Sequence, residues 1–476
     1  MSEAEKNRPS VQESLQQITV LLRQRWQSLI RLQSSPRPHE VEKLLHQQDT
    51  AALQQTLDQL HPADAAYILE TLPLQERLVV WDLIKAERDG EILLEVSDSV
   101  RETLIAHMET RELVAATEQL DTDEIADLAP DLPREVMQDV FRSLSAEERE
   151  QLRAAMSYPE NTVGALMDFD LLTVREDITV EVVSRYLRRL EDMPDHTDQL
   201  FVVDREERLR GVLPVNRLLV TDLDVPVSKI MVAASVQLHP GEQAQTAALA
   251  FERYDLVSAP VIGEDGKLIG RVTIDAVVDF IREDTDSDLL SAGGLREEED
   301  LFASVWSSVK NRWTWLAINL VTAFVASRVI GTFEDSIVKL VALAALMPII
   351  AGIGGNSGNQ TITLIVRALA LGQITVSSAR KLFAKEIGVS FINGLIWGGV
   401  VGLFAFLIYH NIWLGIVMTG AMLLNLLLAA VMGVTIPLLM HKLGRDPAVG
   451  SSVMITAITD SGGFFIFLGL ATVFLV

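Results

Sequence analysis

Five long apolar segments fill the last third of the 476-residue chain, at about 313–331, 338–371, 384–409, 413–440 and 447–475. Most exceed the roughly 20 residues that a helix needs to cross the hydrocarbon core of a bilayer. Residues 312–476 therefore read as a membrane domain of five helices. The second segment contains "MPIIAGIGGNSGNQ", in which Pro348 and the glycines after it predict a kinked helix. Basic residues set the orientation. Lys310 and Arg312 precede the first segment, Arg380, Lys381 and Lys385 lie between the second and third, and Lys442 and Arg445 between the fourth and fifth. The other connections, "GTFEDS" and "YHNIW", have no Lys or Arg, while Arg328 and Lys339 run weakly against the pattern. The N-terminus is expected on the cytoplasmic side and the C-terminus outside.

Asp460 lies inside the last segment with no basic residue near it in sequence. A carboxylate at mid-bilayer costs roughly 2.5–3.5 kcal/mol on insertion scales, so it is expected to face a water-filled path or a partner. Counting from Asp446 at 1.5 Å per residue puts Asp460 about 21 Å deep. Asn356 and Asn359, fifteen and twelve residues before Leu371, reach a comparable depth. Ser452, Thr456 and Asp460 recur at i+4 and share one helical face. Asn425 offers a further amide. The candidate wall is thus carboxylate, amide, hydroxyl and backbone carbonyl, the last from the Gly354 and Gly355 stretch. Such hard oxygen ligands suit Mg2+, Ca2+ or Mn2+. Cysteine is absent, and His410 and His441 sit at segment ends, which argues against zinc or copper. Small residues in "GGNSGNQ" also fit plain helix packing, as does Gly398-x-x-x-Gly402.

The front of the chain has the opposite character. The first 300 residues carry 60 acids against 30 bases, whereas five acids and ten bases follow. Such a surface repels nucleic acid and attracts cations. The start, "MSEAEKNRPS", shows no apolar h-region, so no cleaved signal peptide is expected. Residues 1–38 are expected to form an N-terminal extension with a separate amphipathic helix. Residues 39–157 are helical and repetitive, since "LDQLHPADAAYILETLP" (57–73) returns as "TEQLDTDEIADLAPDLP" (117–133). That repetition indicates an all-α superhelix. Further on, "FVVDREERLRGVL" (201–213) recurs as "PVIGEDGKLIGRV" (260–272), each reading as strand, turn, strand and helix. Helices are expected before them at about 179–191 and 242–254. The acid-rich stretch 283–311 is expected to be a connecting helix, either a solvated linker or a cation-sensing hinge.

These two β-α-β-β-α units, at 158–225 and 226–282, resemble a tandem CBS-domain pair, α/β in class. With "YPENTVGALM" (158–167), "GIGGNSGNQ" (352–360) and "GRDPAVGSSVMITAITDSGG" (444–463), the order of parts resembles the MgtE family of bacterial magnesium channels from about residue 40 to the end. The resemblance implies a homodimer with ten spans in the inner membrane and a central pore for partly hydrated Mg2+. It implies that Asp460, Ser452 and Thr456 line the pore, with Asp446 at its cytoplasmic mouth. It also implies closure by cytosolic Mg2+ through Asp123 and Asp127 of the helical domain and Asp279, Asp284 and Asp288 at the end of the CBS pair and on the connecting helix.

Three departures accompany it. "HPGEQAQT" leaves Glu242 as the one acid where the family has a cluster. The positions expected to hold ribose are Thr273 with Ala276 and Pro214 with Arg217, which argues against ATP binding. Arg282 and Ser287 replace expected acids in the connector. The resulting expectation is a passive Mg2+ channel, with Mn2+, Co2+ or Ca2+ as other candidate ions. The rivals are an exchanger coupled to protons or sodium and a membrane-anchored metal sensor. No P-loop pattern is present, and a lone intramembrane aspartate does not make an enzyme.

Overall fold

The computed structural model describes residues 10–34, 40–190, 192–295, 300–370, 376–445, 447 and 450–476. It divides into two compact units, Met1–Glu283 with Asp300–Ala303, and Asp284–Glu299 with Ser304–Val476.

The first unit begins with α1 (Val11–Ser34), α2 (Glu40–Asp58), α3 (Pro62–Thr71), α4 (Leu74–Trp81) and α5 (Asp89–Glu95). It continues with α6 (Asp98–Ile105), α7 (Thr110–Thr117), α8 (Thr122–Leu128), α9 (Arg134–Ser143) and α10 (Ala146–Ala155). The repeated Leu-Pro steps set two boundaries. Leu72 precedes a proline, is pushed to extended backbone and closes α3, and Pro73 then caps α4. Pro133 caps α9 in the same way. Reciprocal capping boxes start α8 at Asp121 and Glu124 and α10 at Ser145 and Glu148. Helix α1 is not separate: Ile18 and Leu22 are buried with Leu53 and Leu57 of α2 in the core that runs through the whole superhelix.

The second half of this unit holds β1 (Thr173–Arg175), α11 (Val180–Leu187), β2 (Gln199–Val203), β3 (Leu209–Pro214), α12 (Val215–Val220) and α13 (Val227–Ile230). After these come α14 (Ala244–Tyr254), β4 (Ser258–Ile262), β5 (Leu268–Thr273) and α15 (Ile274–Gly293). Strand β1 runs parallel to β2, which pairs antiparallel with β3 in register Phe201↔Val212. Strands β4 and β5 repeat that hairpin with Val261↔Gly270. The repeat extends to the turns. Glu207 sits in left-handed backbone (φ 63) where the second hairpin has Gly266 (φ 78). A side chain there costs about 1–2 kcal/mol. Glu207→Gly is expected to raise the stability of the first repeat by about 1 kcal/mol, read by chemical denaturation.

Helix α15 ends at Gly293, and Gly294 turns the chain with φ 77. Of the expected connecting helix over 283–311, α15 supplies the part up to Gly293 and α16 (Val305–Gly331) the part from Val305, while residues 296–299 lie outside the described residues. The second unit continues with α17 (Glu334–Lys339), α18 (Ala342–Ala370), α19 (Val376–Tyr409), α20 (Ile412–Lys442) and α21 (Ser451–Phe474). Four stretches among the described residues are long and apolar enough to cross a membrane: Val305–Gly331, Ala379–Tyr409, Ile412–Lys442 and Ser451–Phe474. Helix α18 has the length, 29 residues, but the glycines and amides of "GIGGNSGNQ" dilute its apolar character. It continues through Pro348 as one element. Gly398 and Gly402 are packing glycines: Thr419 Oγ1 of α20 donates to Gly398 O at 3.0 Å, and a Cβ at Gly402 would fall 2.5 Å from Gly415 O. Large apolar side chains such as Trp313, Leu320, Phe324, Leu395 and Phe404 point outward, the pattern of a lipid-facing surface.

Candidate functional site

Helices α18 and α21 touch through small residues. A Cβ at Gly355 would stand 3.7 Å from Thr459 Oγ1, and one at Gly358 only 2.4 Å from Ile455 Cγ1. As residue numbers rise along α18 they fall along α21, so the helices are antiparallel. One residue on turns each helix by about 100°. In an antiparallel pair these turns bring Asn356 and Asp460 to the same side, and Asn359 and Thr456 to that side about one turn away. Burial agrees. Asn356 and Thr456 are exposed, and Asn359, Ser452 and Asp460 are half-buried, while the contact residues Gly355, Gly358, Ile455 and Thr459 are buried. The result is a ladder of amide, hydroxyl and carboxylate, extended by Gln360 on the open face of α18. Asn359 Oδ1 is buried and has no hydrogen-bond partner among the described residues. Asp446 lies outside the described residues.

Three of the polar groups read from the sequence do other work. Gly354 and Gly355, grouped above with the ion-contacting residues, are buried at helix joints. Asn425 is fully buried, and its Nδ2 donates to Ile350 O at 3.0 Å. It fits a cradle between Gly354 and Gly463, since a Cβ at either would fall 2.2 or 2.7 Å from Nδ2. Asn425 therefore joins α18, α20 and α21 and does not face the ladder. Gly354→Val is expected to destabilise the membrane unit by about 1–3 kcal/mol through overpacking. Thermal unfolding in detergent would check it.

A second intramembrane acid escaped the sequence reading. Glu386 of α19 is buried, and Thr361 Oγ1 of α18 donates to its Oε2 at 3.2 Å. Lys385 Nζ lies 3.8 Å from Oε1. Beside a lysine in the sequence, Glu386 looked like an ordinary charge at a helix start. Nothing local marked Thr361 as its partner.

In the first unit, acids from the superhelix and the CBS pair crowd together. Burial, and then the neighbouring Asp168 charge, push the Asp123 carboxyl up to about 8. Burial and Glu112 push Asp89 up to about 7. Asp127 keeps an exposed face, yet the protein around its carboxyl and the nearby Glu283, Glu124 and Asp279 raise it too, against the pull of Arg101. Burial raises Asp279, with Asp275 adding to it and Arg282 opposing. Arg271 also stands among these acids: its Nε donates to Asp168 Oδ2 at 2.7 Å, and its Nη2 to Asp195 O at 2.9 Å. Asp284 and Asp288 lie further along α15. The main-chain carbonyl of Glu242 accepts from Val163 N at 2.8 Å, which ties it to the "YPENTVGALM" segment. In that segment Tyr158 lies over Gly164, where a Cβ would meet its ring at 2.3 Å. No group of three or more acidic or histidine side chains is arranged to hold a metal ion among the described residues. Mg2+ typically takes only one or two carboxylates and keeps its waters.

Comparison with known proteins gives these features a common frame. The family model described as a divalent cation transporter, MgtE, matches residues 347–470, and the MgtE intracellular N domain matches 60–161. The CBS domain matches 163–222 and 227–283. A magnesium transporter MgtE from Thermus thermophilus is 30% identical over 443 residues, covering 91% of this chain and 98% of that protein. One from Bacillus subtilis is 24% identical, covering 88% and 93%. A solved cytosolic domain of the Mg2+ channel MgtE in complex with ATP is 30% identical, covers 50% of this chain and 98% of its own, and superposes with a TM-score of 0.45. The chain belongs to the MgtE family of magnesium transporters. Its apolar helices fit a membrane protein, and Mg2+ transport is the function that its relatives carry in their names.

Proposed function

We propose that the chain is a magnesium-selective channel of a bacterial inner membrane, which admits Mg2+ down its electrochemical gradient and is closed by cytosolic Mg2+. The observation that carries this reading is the ladder on α18 and α21, with Asp460 level with Asn356 and Thr456 level with Asn359. Its oxygens are hard and mostly neutral, with a single carboxylate, which suits an ion that keeps most of its water. An open polar strip on an otherwise apolar bundle favours cover by a second copy. A two-fold axis would set two Asp460 carboxylates across one path and give ten spans from five helices per chain, α18 being the fifth. The basic connections favour a cytoplasmic N-terminus and an external C-terminus. The raised carboxyls of Asp123, Asp127 and Asp279 favour regulation by a divalent cation, because crowded acids are relieved by binding one. Asp284, Asp288 and Glu242 are assigned to the same sensor, and Asp446 to the cytoplasmic mouth. Ala276 and Arg217, at the positions expected to hold ribose, favour a CBS pair that acts without a nucleotide.

The driving force is sufficient. A divalent cation entering at −100 mV gains about 4.6 kcal/mol, at about 2.3 kcal/mol per charge. Purified protein in liposomes loaded with a Mg2+ indicator tests the reading. The expected result is Mg2+ entry that Zn2+ does not match and that falls as internal Mg2+ rises. Equal signals in protein-free liposomes would contradict it.

A further inference from the structure

Two arginines of the superhelix repeat one geometry 24 residues apart. Arg77 of α4 donates from Nε to Leu69 O at 2.8 Å and from Nη2 to Leu72 O at 3.1 Å, capping the carbonyls at the end of α3. Arg101 of α6 does the same at the end of α5, to Leu93 O at 2.9 Å and Val96 O at 3.2 Å. Each arginine has donor capacity left for an acid. Arg101 finds two inside its own domain, Asp98 with Oδ1 at 3.3 Å and Asp131 with Oδ2 at 3.4 Å from Nη1. The residue that stands thirty places after Arg77, as Asp131 does after Arg101, is His107, and that side chain pairs with Asp82 at 3.1 Å instead. The first repeat thus has no acid at either equivalent position, since Leu74 stands where Asp98 does.

Asp300 supplies it from 223 residues away. Its Oδ2 lies 2.7 Å from Arg77 Nη1 and its Oδ1 3.1 Å from Nη2, a two-pronged pair. The Arg77 side chain is fully buried and that of Asp300 is 9% exposed. Phe302 N donates to Asp300 Oδ1 at 2.9 Å, and Ala303 N to Asp300 O at 2.9 Å, so the acid also folds the turn around itself. One residue further on, Ser304 caps the first apolar helix, α16, by accepting from Ser307 N at 3.3 Å.

We infer that the Arg77 site is a latch which takes the Asp300 carboxylate and so couples the helical N-terminal domain to the start of the first membrane helix. The inference rests on the proposed Mg2+ gating for its functional consequence, but the contact is testable apart from it. A surface ion pair is worth little, whereas a desolvated two-pronged pair is costly to break from one side, because the remaining charge is stranded. A lead-in held in that way moves with the domain that holds it. When Mg2+ rearranges the acidic domains, the latch carries the movement to residue 304.

The experiment uses the full chain in nanodiscs and liposomes, comparing wild type with Asp300→Asn, Asp300→Glu and, as a control on the sister site, Asp131→Asn. Hydrogen exchange of the Phe302 and Ala303 amides reads the contact, and flux against internal Mg2+ reads the coupling. Asp300→Asn should expose both amides and raise the Mg2+ concentration for half-inhibition about tenfold. Asp300→Glu should restore part of both, and Asp131→Asn should change neither. Unchanged exchange in Asp300→Asn would overturn the latch itself. Exposed amides with an unshifted inhibition curve would overturn the coupling. Wild type without any Mg2+ inhibition would overturn the gating reading and the coupling with it, while exchange would still decide whether the contact exists.

Discussion

Asp460→Ala is expected to lower Mg2+ flux by about two orders of magnitude, with folding and bilayer insertion intact. A unit charge about 4 Å from a divalent ion contributes about 8 kcal/mol at an effective dielectric of 20. The ion keeps much of its water and the rest of the ladder, so only a fraction of this is lost. A third of it is about 2.7 kcal/mol, or roughly a hundredfold in rate. The side chain is half-buried on the open side of α21, while the packing against α18 is made by its neighbours Thr459 and Ile455. Removing the carboxylate therefore leaves the helix joint in place. Asp460→Asn should fall between wild type and alanine, since it keeps one oxygen and loses the charge. Tracer uptake on matched amounts of reconstituted protein checks both. Wild-type flux in the alanine variant would mean that the carboxylate does not meet the ion.

The second large effect is expected in the acidic neighbourhood. Asp123→Asn with Asp127→Asn should make the Mg2+-free protein more stable and leave the channel conducting at internal Mg2+ that closes the wild type. The sign follows from linkage. Carboxyls raised to about 8 at Asp123 and to about 7 at Asp127 bind protons in the folded state at pH values where the unfolded chain has released them. Between about pH 4 and about pH 8 the folded state holds the extra protons, so stability falls as pH rises through that window. In the proposed regulation a divalent cation would replace those protons. Mg2+ should therefore raise the melting temperature more at pH 8 than at pH 6, and the double variant should flatten both dependences. Scanning calorimetry at the two pH values, with and without Mg2+, would show this. A melting temperature that rises with pH in the absence of Mg2+ would contradict the account.

The parts of the fold that could be read from the sequence were those written in local periodicity. The Leu-Pro steps at 72–73 and 132–133 marked helix boundaries, since Leu72 closes α3 and Pro73 and Pro133 open α4 and α9. The paired hairpins at 201–213 and 260–272 announced themselves by repetition, and the structure extends the match to Glu207 and Gly266. On the ladder, the 452, 456 and 460 spacing was enough to place three side chains on one face. The sequence could not say which small residues of "GGNSGNQ" meet a neighbour and which stay open. That depends on the rotation of α18 against α21, set by contacts of Gly355 and Gly358 with residues about a hundred positions away. Asn425 looked like another ladder amide for the same reason, until its partner Ile350 O was known. Asp168, Glu386 and the Arg77–Asp300 pair were illegible because each matters through a neighbour distant in sequence. The turn at Gly294 was missed because the acids around it looked like one helical run.

The most direct test of the central claim is Mg2+ uptake into proteoliposomes under an imposed inside-negative potential, with pH and sodium equal on both sides. A channel predicts uptake that begins with the potential, grows with its size and needs no gradient of another ion. Uptake that appears only when a proton or sodium gradient is added would contradict the account and make the protein a coupled exchanger.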